Sequence, residues 1–235
     1  MSQLQRITVN PSQLQETQLL LTPQQQHYLL RVLRLRDGDK FIAMDGIGKW
    51  WLAQLTGEQG EILELLAVKT ELPVSITLMM ALPKGNGFDD VIRCCTELGV
   101  TCILPILSDR TLLNPSPQKL ERWRRIAAEA AEQSERAFVP TILEPVAFSN
   151  AINEYKINHR YICEARGDYP HLNQIMNILS GEIIIATGPE GGWTDKEIEI
   201  AVTAGFQPVS LGNRILRAVT APIVAISLIA ATCEV

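Results

Sequence analysis

The stretch IIIATGPEGGWTDKE, residues 183–197, decides how this chain is read. Its β-branched, apolar start predicts a buried strand over Glu182–Thr187 that runs straight into Gly188-Pro189-Glu190-Gly191-Gly192. A helix follows from Asp195, announced by Thr194 as N-cap with Glu197 three residues on, the pattern of a capping box. Strand, glycine-rich turn and helix in this order are part of a βαβ unit. In open parallel sheets ligands bind at the carboxyl ends of the strands, and glycines there let a ligand approach bare backbone. The loop lacks the lysine and hydroxyl of a phosphate-cradling GxxxxGK[ST] motif, and it is not the GxGxxG dinucleotide fingerprint.

The arrangement recurs one unit later. A strand over Pro208–Leu211 leads into Gly212, a short loop with Arg214 and Arg217, and a helix from about Ala221 with Thr220 as its cap and Pro222 in its first turn. Guanidiniums at such a strand end suit phosphate, carboxylate or base recognition; solvated surface arginines are the plainer alternative.

Working outward, strands alternate with helical patterns from Pro73 onward, which predicts a largely parallel sheet. Strands are expected at Val74–Leu82, Val100–Leu107, Thr141–Leu143 and Arg160–Ala165. Between and after them come helices carrying Phe88, Val91, Ile92, Cys95 and Leu98, with Gly99 as C-cap, then Pro115–Arg136, Phe148–Tyr155 and His171–Leu179. The first 72 residues read differently. Short apolar runs at Lys40–Met44, Trp50–Leu55 and Ile62–Val68 are separated by Asp/Gly-rich turns. Thr22-Pro23 opens a helix over Gln24–Leu35 with a stripe of Leu29, Val32 and Leu33. A small β-barrel with one inserted helix is the economical reading, giving two domains, 1–72 and 73–235.

Of the 235 residues 46% are hydrophobic and 20% charged, which excludes a disordered or collagenous chain. The net charge of −5 means that any nucleic acid must be gripped by a local basic patch. Arg31 and Arg34, three apart on the early helix, offer such a face, or equally a solvated one. Arg122, Arg124 and Arg125 alternate with glutamates and read as solvent-facing pairs. The apolar run Ala221–Ala231 contains Pro222 and Ser227 and is too short for a membrane span. The first residues lack the features of a secretory signal, so a cytoplasmic protein is expected. Five cysteines read as buried free thiols, and no metal site is expected from His27, His159 and His171.

The pair GPEGG (188–192) and LGNRILR (211–217), in this order and spacing, resembles the RsmE family of ribosomal RNA uridine-N3 methyltransferases, members of the SPOUT class. Arg6, HYLLRVLR (27–34), Lys84-Gly85, TELGV (96–100), Ser108-Asp109-Arg110, Arg122-Trp123 and EQSER (132–136) are similar to family segments in family order. The resemblance implies a PUA-like N-terminal β-barrel that helps hold RNA, and a C-terminal SPOUT α/β domain with a trefoil knot, in a homodimer. It implies S-adenosyl-L-methionine as cofactor, walled by Thr187, Gly188 and Gly191, by Leu211, Gly212, Ile215 and Leu216, and by the strand end at Cys163-Glu164. The implied reaction is methylation of a uridine N3 in 16S rRNA of the small ribosomal subunit. Glu190 would handle the N3 proton, Arg214 and Arg217 would stabilise developing charge, and Arg6, Arg31 and Arg34 would meet RNA. The chain departs from the family pattern at Val219, where a glutamate is usual, and at Cys94, where a lysine is usual. Two other readings stay open: a catalytically weakened RNA-binding or ribosome-assembly protein of the same fold, and a different nucleotide-binding α/β enzyme.

Overall fold

The computed structural model describes residues 4–111, 115–155, 157–176 and 180–234. The chain divides into two units. One runs to Glu71 and takes in Ala131–Val139; the other holds Leu72–Ala130 and the chain from Pro140 onward.

The first unit is built on β1 (Arg6–Thr8), β2 (Leu14–Gln15), β3 (Gln18–Leu19), β4 (Lys40–Met44), β5 (Trp50–Thr56) and β6 (Gln59–Leu66). They form one sheet in the order β1-β4-β5-β6-β3-β2, antiparallel except where β1 lies along β4. The expected barrel is therefore a six-stranded sheet with β1 and β2 at its ends among the described residues, and strands as short as β2 and β3 give little ladder for closure. The strand expected at Ile62–Val68 begins earlier, because Gly57-Glu58 closes a two-residue hairpin with Gly57 at φ +61°.

Helix α1 (Pro23–His27) starts as expected, with Thr22 Oγ1 accepting the Gln25 N–H and proline in the first turn. It then widens into a π-helical turn over Tyr28–Val32, where Leu33 N–H bonds back to the Tyr28 carbonyl. The widening breaks the predicted 3.6-residue stripe: Leu29 is fully buried, but Val32 is 56% exposed. Leu29 joins Leu19, Phe41 and Leu55 in the core of this unit.

Residues 131–139 belong to the first unit through packing and through one carboxylate. Ala131 and Val139 pack with Ile42, Met44 and Trp50. Glu71 Oε1 accepts the backbone N–H groups of Ala137 and Phe138, at 2.8 and 3.2 Å, while Oε2 takes the nearly buried Arg136 guanidinium at 2.6 Å.

The second unit carries β7 (Val74–Ala81), α2 (Gly87–Glu97), β8 (Cys102–Leu107), α3 (Pro117–Gln133), β9 (Thr141–Ile142), β10 (Val146–Ala147), α4 (Phe148–Glu154), β11 (His159–Cys163), α5 (Leu172–Ile175), β12 (Gly181–Thr187), α6 (Asp195–Thr203), β13 (Gln207–Val209) and α7 (Thr220–Cys233). Helix α3 passes into the first unit after Ala130. The sheet is wholly parallel, ordered β10-β8-β7-β12-β11-β13 with β9 on β8. A strand flanked on both sides must be apolar on both faces, and Ile183, Ile184, Ile185 and Ala186 of β12 are all buried. Under α2, Trp123 is fully buried edge-on to Phe88 at 4.5 Å, and its Nε1 donates to Asp89, which also accepts Arg122.

Three expectations are corrected here. Thr220 does not cap α7: it is already helical, Val219 holds the cap position without a side-chain bond, and the Arg217 carbonyl accepts the N–H groups of Thr220 and Ala221 instead. The helix expected over His171–Leu179 is a single turn capped by His171 Nδ1, and Asn177, Ile178 and Leu179 lie outside the described residues. All five cysteines are free, but only Cys95 is buried; the other four are half-buried.

Glu71→Gln replaces an ion pair by a neutral contact and surrenders one acceptor. A charged hydrogen bond is worth about 1.5–3 kcal/mol, so urea unfolding should show a loss of about 2 kcal/mol. Protease cleavage should then appear first within residues 131–139.

Candidate functional site

Strands β12, β11 and β13 are parallel neighbours, so their carboxyl ends, Thr187, Cys163 and Val209, open on the same side of the sheet. The loops that leave them enclose a cavity of about 570 Å³.

The first glycine loop is held from three directions. Trp193 turns back under it, its Nε1 donating to the Cys163 carbonyl at 3.2 Å and its ring lying 4.8 Å from that of Phe148. A Cβ on Gly188 would stand 3.2 Å from that indole nitrogen, so a side chain there would push the tryptophan out of place. From the end of β8, Arg110 Nη1 donates to the carbonyls of Gly191 and Trp193. From the end of β7, the Lys84 N–H donates to Glu190 Oε1 at 2.9 Å.

Behind the loop the capping box forms as the sequence predicts. Glu197, only 3% exposed, accepts the Thr194 N–H at 2.8 Å and the Thr194 hydroxyl at 3.0 Å. Its other oxygen accepts the Asp109 N–H at 2.9 Å, which ties the loop after β8 to the start of α6.

The second loop is shaped by its own backbone. Ser210 zips to the preceding segment, its N–H donating to Pro170 and its carbonyl accepting Leu172 N–H, both at 2.9 Å. Its Oγ accepts the Gly212 N–H at 3.1 Å. Gly212 sits at φ +117°, a conformation that side-chain-bearing residues rarely adopt. Between the two loops, the segment after β11 adds Glu164, whose carboxylate accepts the Arg166 N–H at 2.8 Å. Burial, and to a lesser degree the neighbouring Glu164, pushes the Cys163 thiol up to about 12, so it stands in the wall as an uncharged, unreactive group.

Eight of the nine residues expected to wall a cofactor line this cavity: Cys163, Glu164, Gly188, Gly191, Leu211, Gly212, Ile215 and Leu216. The ninth, Thr187, is fully buried at the end of β12, and its hydroxyl has no hydrogen-bond partner among the described residues. Glu190 and Arg214 also line the cavity, whereas Arg217 is exposed and outside its wall. Arg110, Arg166, Tyr169 and Trp193 were missed as site residues although they line it. Arg110, Arg166 and Tyr169 follow strand ends, and that rule applied to every strand would have found them.

In the first unit Arg31 and Arg34 are exposed on and just after the π-helical turn, Arg34 at φ +58°. Arg6 is placed otherwise. Its guanidinium pairs with Glu135 at 2.8 Å, lies 5.2 Å from the Trp50 ring centroid and is only 12% exposed.

Residues 70–230 match the sequence model of an RNA methyltransferase domain, and residues 21–66 that of an RNA methyltransferase PUA domain. A Synechocystis protein named ribosomal RNA small subunit methyltransferase E is 49% identical over 97% of this chain and 78% of its own length. This chain belongs to that family. The family's ribosomal RNA small subunit methyltransferase E from Neisseria gonorrhoeae, solved bound to S-adenosyl methionine, superposes with a TM-score of 0.85 at 34% identity, covering 95% of each chain. A Legionella pneumophila protein in complex with the bound cofactor SAM gives a TM-score of 0.87 at 29% identity, over 97% of this chain and 98% of its own. Among the described residues no three His, Cys, Asp or Glu side chains gather as metal ligands, and no helix is long and apolar enough to cross a membrane.

Gly212→Val should distort the second loop, because valine cannot hold φ +117° without strain and its branches would project into space now open within 4 Å. Binding of S-adenosylhomocysteine, measured by calorimetric titration, should fall at least 100-fold, while the melting temperature falls by no more than the about 4 °C that 1 kcal/mol of strain implies for this size.

Proposed function

We propose that this protein transfers a methyl group from S-adenosyl-L-methionine to N3 of a uridine in 16S rRNA of the small ribosomal subunit. The observation that carries the reading is the cavity between the two glycine loops, in a chain that matches the SAM-bound Neisseria gonorrhoeae enzyme along 95% of its length.

The cavity fits such a cofactor. Its volume of about 570 Å³ lies within the usual range for small-molecule sites. Leu211, Ile215 and Leu216 offer apolar surface for an adenine, and Glu164 at a strand end is the carboxylate available to a ribose diol. Gly212 leaves open the space that a Cβ would fill, and the unpartnered Thr187 hydroxyl lies at the base of the first loop. S-adenosyl-L-methionine, when bound, supplies an electrophilic methyl group on a sulfonium.

The chain's own residues supply the rest. Glu190 keeps one oxygen on the Lys84 N–H, which fixes the carboxylate and leaves the other oxygen to accept the proton of N3. Arg214, exposed in the cavity wall, stabilises the charge that develops on the uracil carbonyls as that proton leaves. Arg217, three residues further on in the loop before α7, serves the same charge from outside the wall or grips the flanking phosphate. Cys163, held uncharged, keeps a competing nucleophile away from the electrophile.

RNA is gripped by the first unit through Arg31 and Arg34, a local basic face on an otherwise acidic chain. Arg6 acts indirectly, through its bond to Glu135. The catalytic unit is a SPOUT domain whose last segment is threaded as a trefoil knot; in support, the chain leaves β13 at the sheet edge and returns as α7 to pack on α2, β7 and β12. The apolar residues of α7 left half-buried, Ile223, Val224 and Leu228, support a homodimer that covers them.

Purified protein incubated with 16S rRNA or assembled small subunits and labelled S-adenosyl-L-methionine should label one uridine. Methylation at N3 blocks the pairing edge, so reverse transcription should stop one nucleotide before it. A label without a stop would place the methyl elsewhere and contradict the assignment. Replacing Arg31 and Arg34 by alanine should flatten the dependence of log affinity on log salt by roughly 0.7–0.9 per lost contact, with the single-turnover rate at saturating RNA unchanged.

A further inference from the structure

Arg110 stands at the end of β8, two places from β12 in the sheet, yet its bonds go to the first glycine loop. Among the described residues it pairs with no carboxylate. Nη1 alone serves two carbonyls, those of Gly191 and Trp193, the latter at 3.2 Å. Occupying both holds the 191–192 and 193–194 peptide planes, and with them the cavity edge from Gly191 to Trp193.

The stem of the same side chain explains a glycine. A Cβ on Gly191 would stand 3.0 Å from Arg110 Cδ and 3.6 Å from its Cβ. Gly192 and Gly212, at φ +69° and +117°, need glycine because of their backbone. Gly191 has no positive φ, so this reason for glycine does not apply to it. The missing side chain at 191 is the space in which the arginine lies.

We propose that Arg110 is the positioning residue of the cofactor loop and that Gly191 is glycine to accommodate it. The inference rests on the cofactor site proposed above. It assigns to a loop outside the two glycine motifs the control of cofactor affinity, with no contact to the reacting atoms.

The test is a double-mutant cycle read by calorimetric titration with S-adenosylhomocysteine. Arg110→Ala removes two charge-assisted bonds and should weaken binding about ten- to hundredfold. It should raise KM for S-adenosyl-L-methionine by a similar factor and leave kcat at saturation within about threefold, since the residue acts through the loop. Gly191→Ala should weaken binding about tenfold in the wild-type background and in Arg110→Lys, whose stem keeps its Cδ. In Arg110→Ala it should add less than about twofold, because the crowding atom is gone. If Arg110→Ala does not fold, Arg110→Thr, equally without a Cδ, takes its place. Equal cost of Gly191→Ala in all three backgrounds, or unchanged affinity in Arg110→Ala, overturns the proposal. Failure of the wild-type protein to bind S-adenosylhomocysteine would instead strike the cofactor assignment itself.

Discussion

The catalytic unit hangs on one buried carboxylate. Glu197 is removed from water almost completely, which is costly for a charged group unless its oxygens are filled. Here they are, by the backbone and hydroxyl of Thr194 and by the backbone of Asp109. The first two start α6 directly behind the glycine loop. The third brings the end of β8 alongside, so that Arg110 meets the carbonyls of Gly191 and Trp193. One buried side chain thereby fixes a helix start, joins loops from strands that are not neighbours, and sets the edge of the cavity.

The two loops that face each other across the cavity are shaped by different physics. The first is clamped from outside, by Arg110, by the Lys84 N–H on Glu190 and by the indole beneath Gly188. The second holds its own shape, through Ser210 and the left-handed backbone of Gly212. Both present mainly backbone and small or apolar groups to the space between them. Such a site suits a neutral ring and a polar chain held by shape, with Glu164, Glu190 and Arg214 among the charged groups in its wall. The overall acidity of the chain is no obstacle to an RNA substrate, because the basic residues that would meet phosphate are exposed and local.

Much of this was legible in the residues. The run of β-branched apolar residues before Gly188 fixed β12 as a flanked strand, and Thr194 with Glu197 fixed the start of α6. The resemblance carried by GPEGG and LGNRILR points to eight wall residues of the cavity, and to Glu190 and Arg214 beside them. What was not legible depends on contacts distant in sequence or on local backbone choices. Arg110 lies about eighty residues from its partners, and no periodicity reports such a pairing. Val32 was misplaced because a π-helical turn shifts the face that a regular helix would bury. Thr220 has the residue type of a cap, but the Arg217 carbonyl had already begun the helix. Arg6 reads as a free basic residue, yet a neighbouring carboxylate and the Trp50 ring claim it.

A crystal structure of this protein grown with S-adenosylhomocysteine tests the central claim most directly. The account predicts one molecule between the loops 188–193 and 211–216, touching Leu211, Gly212 and Leu216 and reaching the Glu164 carboxylate. Arg110 should remain on the Gly191 carbonyl. Density for the ligand at any other place, or between these loops only after Arg110 has left the loop, would contradict it.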